Sequence, residues 1–135
     1  MENKKSHYLN SVVLLRGKRG LTKTKFILDT GSPNTILSHM DARRLQLPYN
    51  TKEEIISIGG QKYQGYSYPK MKLIFLSENK KIIKEEMKVL FVKPTSQRQE
   101  IDTMPTIIGT DFLKEKKYKL FCDIANDEAY LEKDE

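Results

Sequence analysis

The chain has 135 residues, of which 38% are hydrophobic and 31% are charged, so it has the size and composition of one domain with a single core. No run approaches the roughly 18 apolar residues of a membrane-spanning helix, and the single cysteine excludes an intrachain disulfide. The net charge of +6 raises the question of nucleic acid, but basic and acidic residues alternate, as in Lys84-Glu85-Glu86, which is typical of a solvated surface. We therefore expect one domain over residues 1–135, without a membrane or nucleic-acid partner. Because no apolar leader segment follows Met1, the cytoplasm is the expected location.

The N-terminal part of the chain predicts a β-hairpin. Tyr8–Leu15 is rich in apolar and β-branched residues, Gly17–Gly20 supplies turn residues, and Thr22–Leu28 alternates into a wholly apolar end. A buried strand therefore ends immediately before Asp29. Thr35–Leu37 predicts another short strand.

A helix is predicted after this strand. Ser38 is a suitable N-cap, and Asp41, three residues later, takes the place of the capping-box glutamate. We expect the helix to continue through Leu45 and to stop at Pro48.

The middle of the chain predicts two pairs of strands. Ile55–Ile58 and Tyr63–Tyr68 form a hairpin that ends at Pro69. Met71–Leu76 and Ile82–Val92 form the second pair. Both pairs give the signals of a β protein.

A polar segment without periodicity, residues 93–104, predicts an exposed loop. Thr106–Gly109 follows as a short buried strand, and Thr110 or Asp111 is the expected N-cap of a short helix that continues to Lys116.

The chain closes with a predicted hairpin of Tyr118–Ile124 and Glu128–Leu131 around Asn126. Seven or more strands with one or two short helices predict a mostly β domain.

One carboxylate has an unusual position. Asp29 comes at the end of the apolar run Phe26–Leu28, and burying a charge is costly unless it is paired or hydrogen-bonded. Gly31 lets backbone amides approach the carboxylate, and Ser32 can donate from its hydroxyl. An ordinary Asx turn, in which Asp29 accepts a local hydrogen bond, is the alternative. The Asp-Thr-Gly triplet alone does not decide between the two.

The surrounding residues extend this pattern. Asp29–Ser32 resembles the active-site loop of the retropepsin-like aspartic peptidases, the retroviral-protease type, and Pro33–Ser38 resembles the short apolar strand that follows it. Ile107–Gly109 is similar to the second hallmark of that family, two apolar residues and a glycine followed by a helix. Between them, the hairpin Ile55–Tyr68 stands in the place of the family's flap over the substrate cleft.

The resemblance implies a closed, partly barrel-like β fold and an endopeptidase that needs two carboxylates, one to activate water and one to protonate the leaving nitrogen. Two carboxylates that share one proton serve both roles. One short chain carries only one such motif, so the family implies a homodimer in which each subunit contributes Asp29. The substrate would be an extended peptide or protein segment, with no metal and no organic cofactor.

The resemblance also assigns roles to neighbouring residues. Thr30 would lock the two loops across the dimer interface, Gly31 would offer its amide to the carboxylate, and Ser32 would hydrogen-bond the outer carboxylate oxygen. The residues that would support the loop are Ile107, Ile108 and Gly109.

The flap assignment has two interpretations that stay open. The family implies that a hairpin tip covers the substrate, whereas a pair of glycines is also what a tight turn requires. The tip residues are Gly59, Gly60, Gln61 and Lys62.

Other chemistries find less support. His7 and His39 lie far apart and, with Cys122, do not have zinc-site spacing. Ser32 and Ser38 lack the glycine elbow of a hydrolase serine. Residues 17–24 lack the order of a phosphate-binding loop.

A second carboxylate from the same chain would need another acid near Asp29, and none lies in a second copy of the motif. The candidates for such a second carboxylate are the four aspartates Asp102, Asp111, Asp123 and Asp127. Two further classes stay as alternatives: a catalytically silent peptide-binding or dimerisation module on the same fold, and a basic nucleic-acid-binding domain with steep salt dependence.

Overall fold

The computed structural model describes residues 3–4, 8–16, 21–49, 53–58, 61–76, 81–92, 105–123, 125–126 and 128–133. The strands in this part of the chain are β1 Asn3–Lys4, β2 Tyr8–Arg16, β3 Leu21–Leu28, β4 Ile36–Leu37, β5 Glu54–Ile58, β6 Gln61–Leu76, β7 Ile82–Val92, β8 Thr106–Ile108, β9 Tyr118–Asp123 and β10 Glu128–Lys133. The helices are α1 His39–Arg44 and α2 Thr110–Glu115. The expected mostly β class is confirmed. None of the helices described is long and apolar enough to cross a membrane.

Six strands close into a barrel. The larger sheet has the order β2-β3-β8-β4-β7-β6-β5, and an additional pairing of β2 with β6 closes the ring, so that β5 extends outward from β6. The expected closed barrel is therefore confirmed. A separate three-stranded sheet, in the order β1-β10-β9, contains both ends of the described chain.

The barrel interior is filled by residues that alternate along the strands. Large, fully buried side chains such as Leu14, Phe26, Leu73 and Phe91 form the main core. A second, smaller apolar cluster lies where the β5–β6 hairpin packs on β4 and β7; its members are Ile36, Ile56, Tyr63, Leu90 and Val92. Ile36 belongs to β4, the strand that follows Asp29, so the hairpin packs on that strand through this side chain.

Strand β6 differs from the sequence prediction, which broke it at Pro69. The strand continues through this residue, and its pairing with β7 shifts register between Tyr68 and Met71. Since proline has no amide hydrogen to donate, an irregularity in the ladder is where a sheet accommodates it.

The C-terminal end of α1 and the N-cap of α2 differ from the predictions. Ser38 caps α1 as expected and accepts a hydrogen bond from the Asp41 amide, but the helix ends at Arg44 rather than at Pro48. Gln46 has a φ of 53°, which stops the helix. The N-cap of α2 is Gly109 and not one of the two residues that follow it. The loop predicted over residues 93–104 lies outside the described residues.

Two residues that follow helices occupy the left-handed region although neither is glycine. Gln46 has a φ of 53° and Lys117 a φ of 59°, and both side chains are exposed. Left-handed backbone costs a residue that has a Cβ atom about 1–2 kcal/mol. Glycine avoids this cost, but its larger loss of conformational entropy on folding cancels part of the gain. We expect Gln46→Gly and Lys117→Gly each to raise the free energy of unfolding by up to about 1 kcal/mol in urea titrations. Arg44→Gly, within α1, is the matched control and should lower it; a loss of stability in Gln46→Gly would contradict the assignment.

A buried carboxylate joins the small sheet to the barrel. Glu85 on β7 accepts hydrogen bonds from the Tyr118 hydroxyl at 2.7 Å and from the Lys133 ammonium group at 2.9 Å. Tyr118 also stacks on Phe112 of α2, with ring centroids 5.0 Å apart. Burial, together with the hydrogen bond and the charge of Glu85, raises the pKa of Tyr118 above its usual value of 10.0.

This contact predicts a loss of stability in alkali. The folded protein keeps Tyr118 neutral, whereas the unfolded chain ionises it above about pH 10, so rising pH favours unfolding from there on. We expect Tyr118→Phe to be less stable than the native protein at neutral pH, because Glu85 loses a donor, but to lose stability less steeply above about pH 10. Urea unfolding at a series of pH values measures both effects. Parallel pH profiles for the two proteins would contradict the prediction.

Candidate active site

The backbone holds Asp29 at the end of an internal strand. Strand β3 pairs in parallel with β8, and Leu28 lies opposite Ile108. The Asp29 amide continues this ladder and donates to the Ile108 carbonyl at 3.0 Å. The Asp29 side chain is only partly buried, so its carboxylate stands where the sheet meets solvent.

The loop after Asp29 turns tightly around the carboxylate. The Gly31 amide donates to Asp29 Oδ1 at 2.9 Å, and the Ser32 amide donates to the Asp29 carbonyl at 3.1 Å. A Cβ atom on Gly31 would lie 3.2 Å from Asp29 Oδ1, which is closer than most such contacts. The Gly31 bond has the form of an Asx turn, so it is common to the catalytic and the purely local interpretation.

Within one chain, Ser32 makes a different hydrogen bond from the one that the resemblance implied. Its side chain is buried and its hydroxyl donates to the Asn34 carbonyl at 2.7 Å. A hydroxyl has one proton, so this group does not also donate to the outer oxygen of Asp29. The turn brings the Asn34 carbonyl within reach of the hydroxyl, and the role implied for Ser32 in a paired site stays a prediction.

A second carboxylate, that of Asp111, holds the end of the loop through hydrogen bonds to Thr35. Asp111 at the start of α2 accepts hydrogen bonds from the Thr35 hydroxyl at 2.8 Å, the Thr35 amide at 3.0 Å and the Phe112 amide at 2.8 Å. The sequence predicted only a helix-start role for Asp111. Its contact with Thr35 spans 76 positions and has no local sequence signal.

Gly109 packs directly against the same loop. Its amide donates to the Thr35 hydroxyl at 3.2 Å, and the next amide, that of Thr110, donates to the Ser32 carbonyl at 2.8 Å. A Cβ atom at Gly109 would lie 2.3 Å from the Asn34 carbonyl oxygen, so only glycine fits this close approach of two backbones. Strand β8 and α2 therefore fix the conformation of the loop.

The remaining loop-supporting residues lie in the centre of the sheet. Ile107 pairs with Ile27 on one side and with Ile36 on the other, so β8 lies between the strands before and after the loop. Thr106 extends the connection to α1: its hydroxyl donates to the buried carboxylate of Asp41. The sequence had placed Asp41 only as a capping residue.

Thr30 is exposed beside the carboxylate, and its role across an interface stays a prediction. Gly59 and Gly60 lie outside the described residues. Gln61 and Lys62 begin β6 with exposed side chains and pair with the end of β5. The flap function of this segment therefore also stays a prediction.

Within one chain, no second carboxylate is seen to complete the site among the residues described. Asp111 is occupied by three donors on the inner side of the loop, and Asp123 lies on β9, where it accepts hydrogen bonds from Asn126. Asp102 and Asp127 lie outside the described residues. The arrangement offers one partly exposed carboxylate on a loop that is fixed at several points.

Comparison with solved structures shows the same fold in EIAV protease complexed with the inhibitor HBY-793. The TM-score is 0.52 and the identity 19%, over 84% of this chain and 90% of that chain. At this identity the likeness establishes a retropepsin-like fold and not an activity. No protein-family model matches the sequence, and no curated protein matches it.

Proposed function

We propose that this protein is an aspartic endopeptidase whose active site forms when two copies pair and each contributes Asp29. The observation that supports this most is the position of the Asp29 carboxylate. It ends an internal strand of a retropepsin-like barrel, accepts the Gly31 amide at 2.9 Å and is partly exposed. The bonds that fix the loop to β8 and α2 would hold this carboxylate in a constant position for the second one to meet.

The proposed chemistry follows from two carboxylates at close range. Like charges that near cannot both ionise, so the pair holds one proton. The ionised carboxylate removes a proton from water as the water attacks the peptide carbonyl, and the protonated one donates to the leaving nitrogen. A two-fold axis close to the exposed Thr30 would bring the second Asp29 to the first.

The proposed substrate is an extended peptide that lies between the Asp29 loop and the β5–β6 hairpin. Such a peptide would pair with the hairpin as an added strand. Gly59–Lys62 would then form the covering tip. The second apolar cluster, which includes Ile36 and Ile56, would hold this hairpin on β4 and β7 while the peptide is bound.

The test is cleavage of a mixed peptide library at pH values from about 3 to 8, where carboxylate catalysis changes with protonation. Native protein and Asp29→Asn are compared at equal concentration, with cleavage sites identified by mass spectrometry. Cleavage by the native protein only supports the proposal. If a folded, dimeric native protein binds peptides and cleaves none, the chain is a peptide-binding module instead.

A further inference from the structure

An apolar stripe crosses the outside of the barrel, away from the Asp29 loop. It runs diagonally over four adjacent strands, because residues paired between neighbouring strands point to the same face. Leu15 on β2 lies opposite Leu21 on β3, Val13 on β2 lies opposite Ile74 on β6, and Leu76 on β6 lies opposite Ile82 on β7. We call these six residues the outer stripe: Leu21, Leu15, Val13, Ile74, Leu76 and Ile82.

The outer stripe is not part of either core. The residues between its members point inward, as Leu14 and Leu73 do, and fill the barrel. Its two ends are strongly exposed: Leu21 and Ile82 each at 65% and Leu76 at 46%. Exposed aliphatic side chains in a continuous row are a feature of binding surfaces.

Lysines border the outer stripe on both sides. Lys23 and Lys25 lie on the same face of β3, Lys72 lies on β6, and Lys84 lies beside Ile74 on β7. Glu86, opposite Lys72, is the acidic residue among these paired outward positions. Among the described residues, no ion pair joins Lys23, Lys72 or Lys84 to a carboxylate.

The dimensions of the stripe match one short helix. The stripe crosses three strand-to-strand spacings of about 4.8 Å and shifts by four residues of about 3.3 Å along the strand direction. Its two ends therefore lie roughly 20 Å apart. An α-helix covers this length in about 13 residues. The central residues Val13, Leu15 and Ile74 are partly buried, whereas the end residues Leu21, Leu76 and Ile82 are exposed.

We propose that the outer stripe binds an acidic amphipathic helix of a partner protein. The apolar face of that helix would cover the stripe, and its carboxylates would meet the lysines on both sides. A second copy of this chain fits less well, because the lysines of two stripes would face each other. Binding of the stripe to a lipid surface is the outcome that the vesicle measurement below distinguishes.

The test measures binding of fluorescent peptides of about 14 residues by anisotropy. One peptide is an amphipathic helix with a leucine face and a glutamate-rich polar face; the second has the same leucine face and a lysine-rich polar face. We expect the native protein to bind the acidic peptide and not the basic one, and added salt to weaken the binding.

Two double variants locate the binding. Leu76→Lys with Ile82→Lys, and Lys23→Glu with Lys84→Glu, should each weaken binding of the acidic peptide by at least about tenfold. Both pairs change side chains on the outer face, so circular dichroism and urea unfolding should show a native fold. Met40→Lys and Lys114→Glu, exposed positions on the two helices, are the matched controls and should bind as the native protein does.

Three results would overturn the proposal. The first is equal binding of the acidic peptide by all variants. The second is binding of the native protein to vesicles with phosphatidylserine but not to the acidic peptide, which would indicate a lipid surface. The third is self-association in sedimentation that the Leu76→Lys with Ile82→Lys variant abolishes, without peptide binding by the native protein.

Discussion

Replacing Asp29 by Asn is expected to lower kcat/KM for peptide cleavage by at least about 10³-fold, because an amide can neither take a proton from water nor share one with a second carboxylate. The fold should be unaffected. In the native protein the Gly31 amide donates to Asp29 Oδ1 at 2.9 Å. Asparagine also has an Oδ1 atom that can accept this hydrogen bond, so the turn retains its geometry. The lost activity therefore reports on the charge and the proton of the carboxylate.

Asp123→Asn is the matched control for this variant. Asp123 is an exposed aspartate on β9 whose contacts are with Asn126, and its replacement should leave kcat/KM within about twofold. The three proteins are compared by their initial rates on a peptide that the native protein cleaves. The protein concentration is kept above that needed for dimerisation. Undiminished cleavage by Asp29→Asn would mean that another residue carries the chemistry.

Gly109→Ala is expected to have the largest effect on stability. The new Cβ atom would lie 2.3 Å from the Asn34 carbonyl oxygen, 2.6 Å from the Asn34 carbonyl carbon and 2.6 Å from the Ser32 carbonyl oxygen. All three are backbone atoms, so the strain cannot be relieved by a rotamer change. We expect the free energy of unfolding to fall by about 3 kcal/mol or more. Because the displaced segment continues from Asp29, kcat should fall by roughly 10²-fold in protein that remains folded.

Gly65→Ala on β6 is the comparison for this variant. Its Cβ atom would lie 2.1 Å from Ile56 Cδ1, the flexible end of a side chain, and 3.0 Å from the Phe91 carbonyl oxygen. We expect a smaller loss of stability, which Ile56→Val should partly restore by removing the Cδ1 atom. Urea unfolding of the single and double variants measures both effects. A Gly109→Ala protein as stable as the native one would contradict the packing described for the loop.

Elements with local signals were predicted from the sequence within a few residues. Strand β7 begins and ends at the residues that were predicted, and Ser38 caps α1 through the hydrogen bond expected from the capping pattern. The continuity of β6 through Pro69 was missed. It depends on how the neighbouring strand β7 absorbs a register shift, and that information is not in the local sequence.

In the candidate site, too, the features with a local sequence signal were predicted, whereas the long-range contacts were not. The position of Asp29 after an apolar strand and the approach of the Gly31 amide follow from the residues around them. The bond between Asp111 and Thr35 joins residues 76 positions apart, and the direction of the Ser32 hydroxyl depends on a carbonyl that only the folded turn places within reach. The outer stripe was also missed, because it appears only once the register between four strands is known.

The most direct test of the shared active site is a mixing experiment. Native protein at fixed concentration is allowed to exchange subunits with a ninefold excess of Asp29→Asn, and cleavage is measured before and after exchange. If each site needs one Asp29 from each subunit, random pairing leaves few native dimers and the activity falls to about one tenth. If each chain carries a complete site of its own, the activity stays unchanged, and the account of a site shared between two copies is wrong.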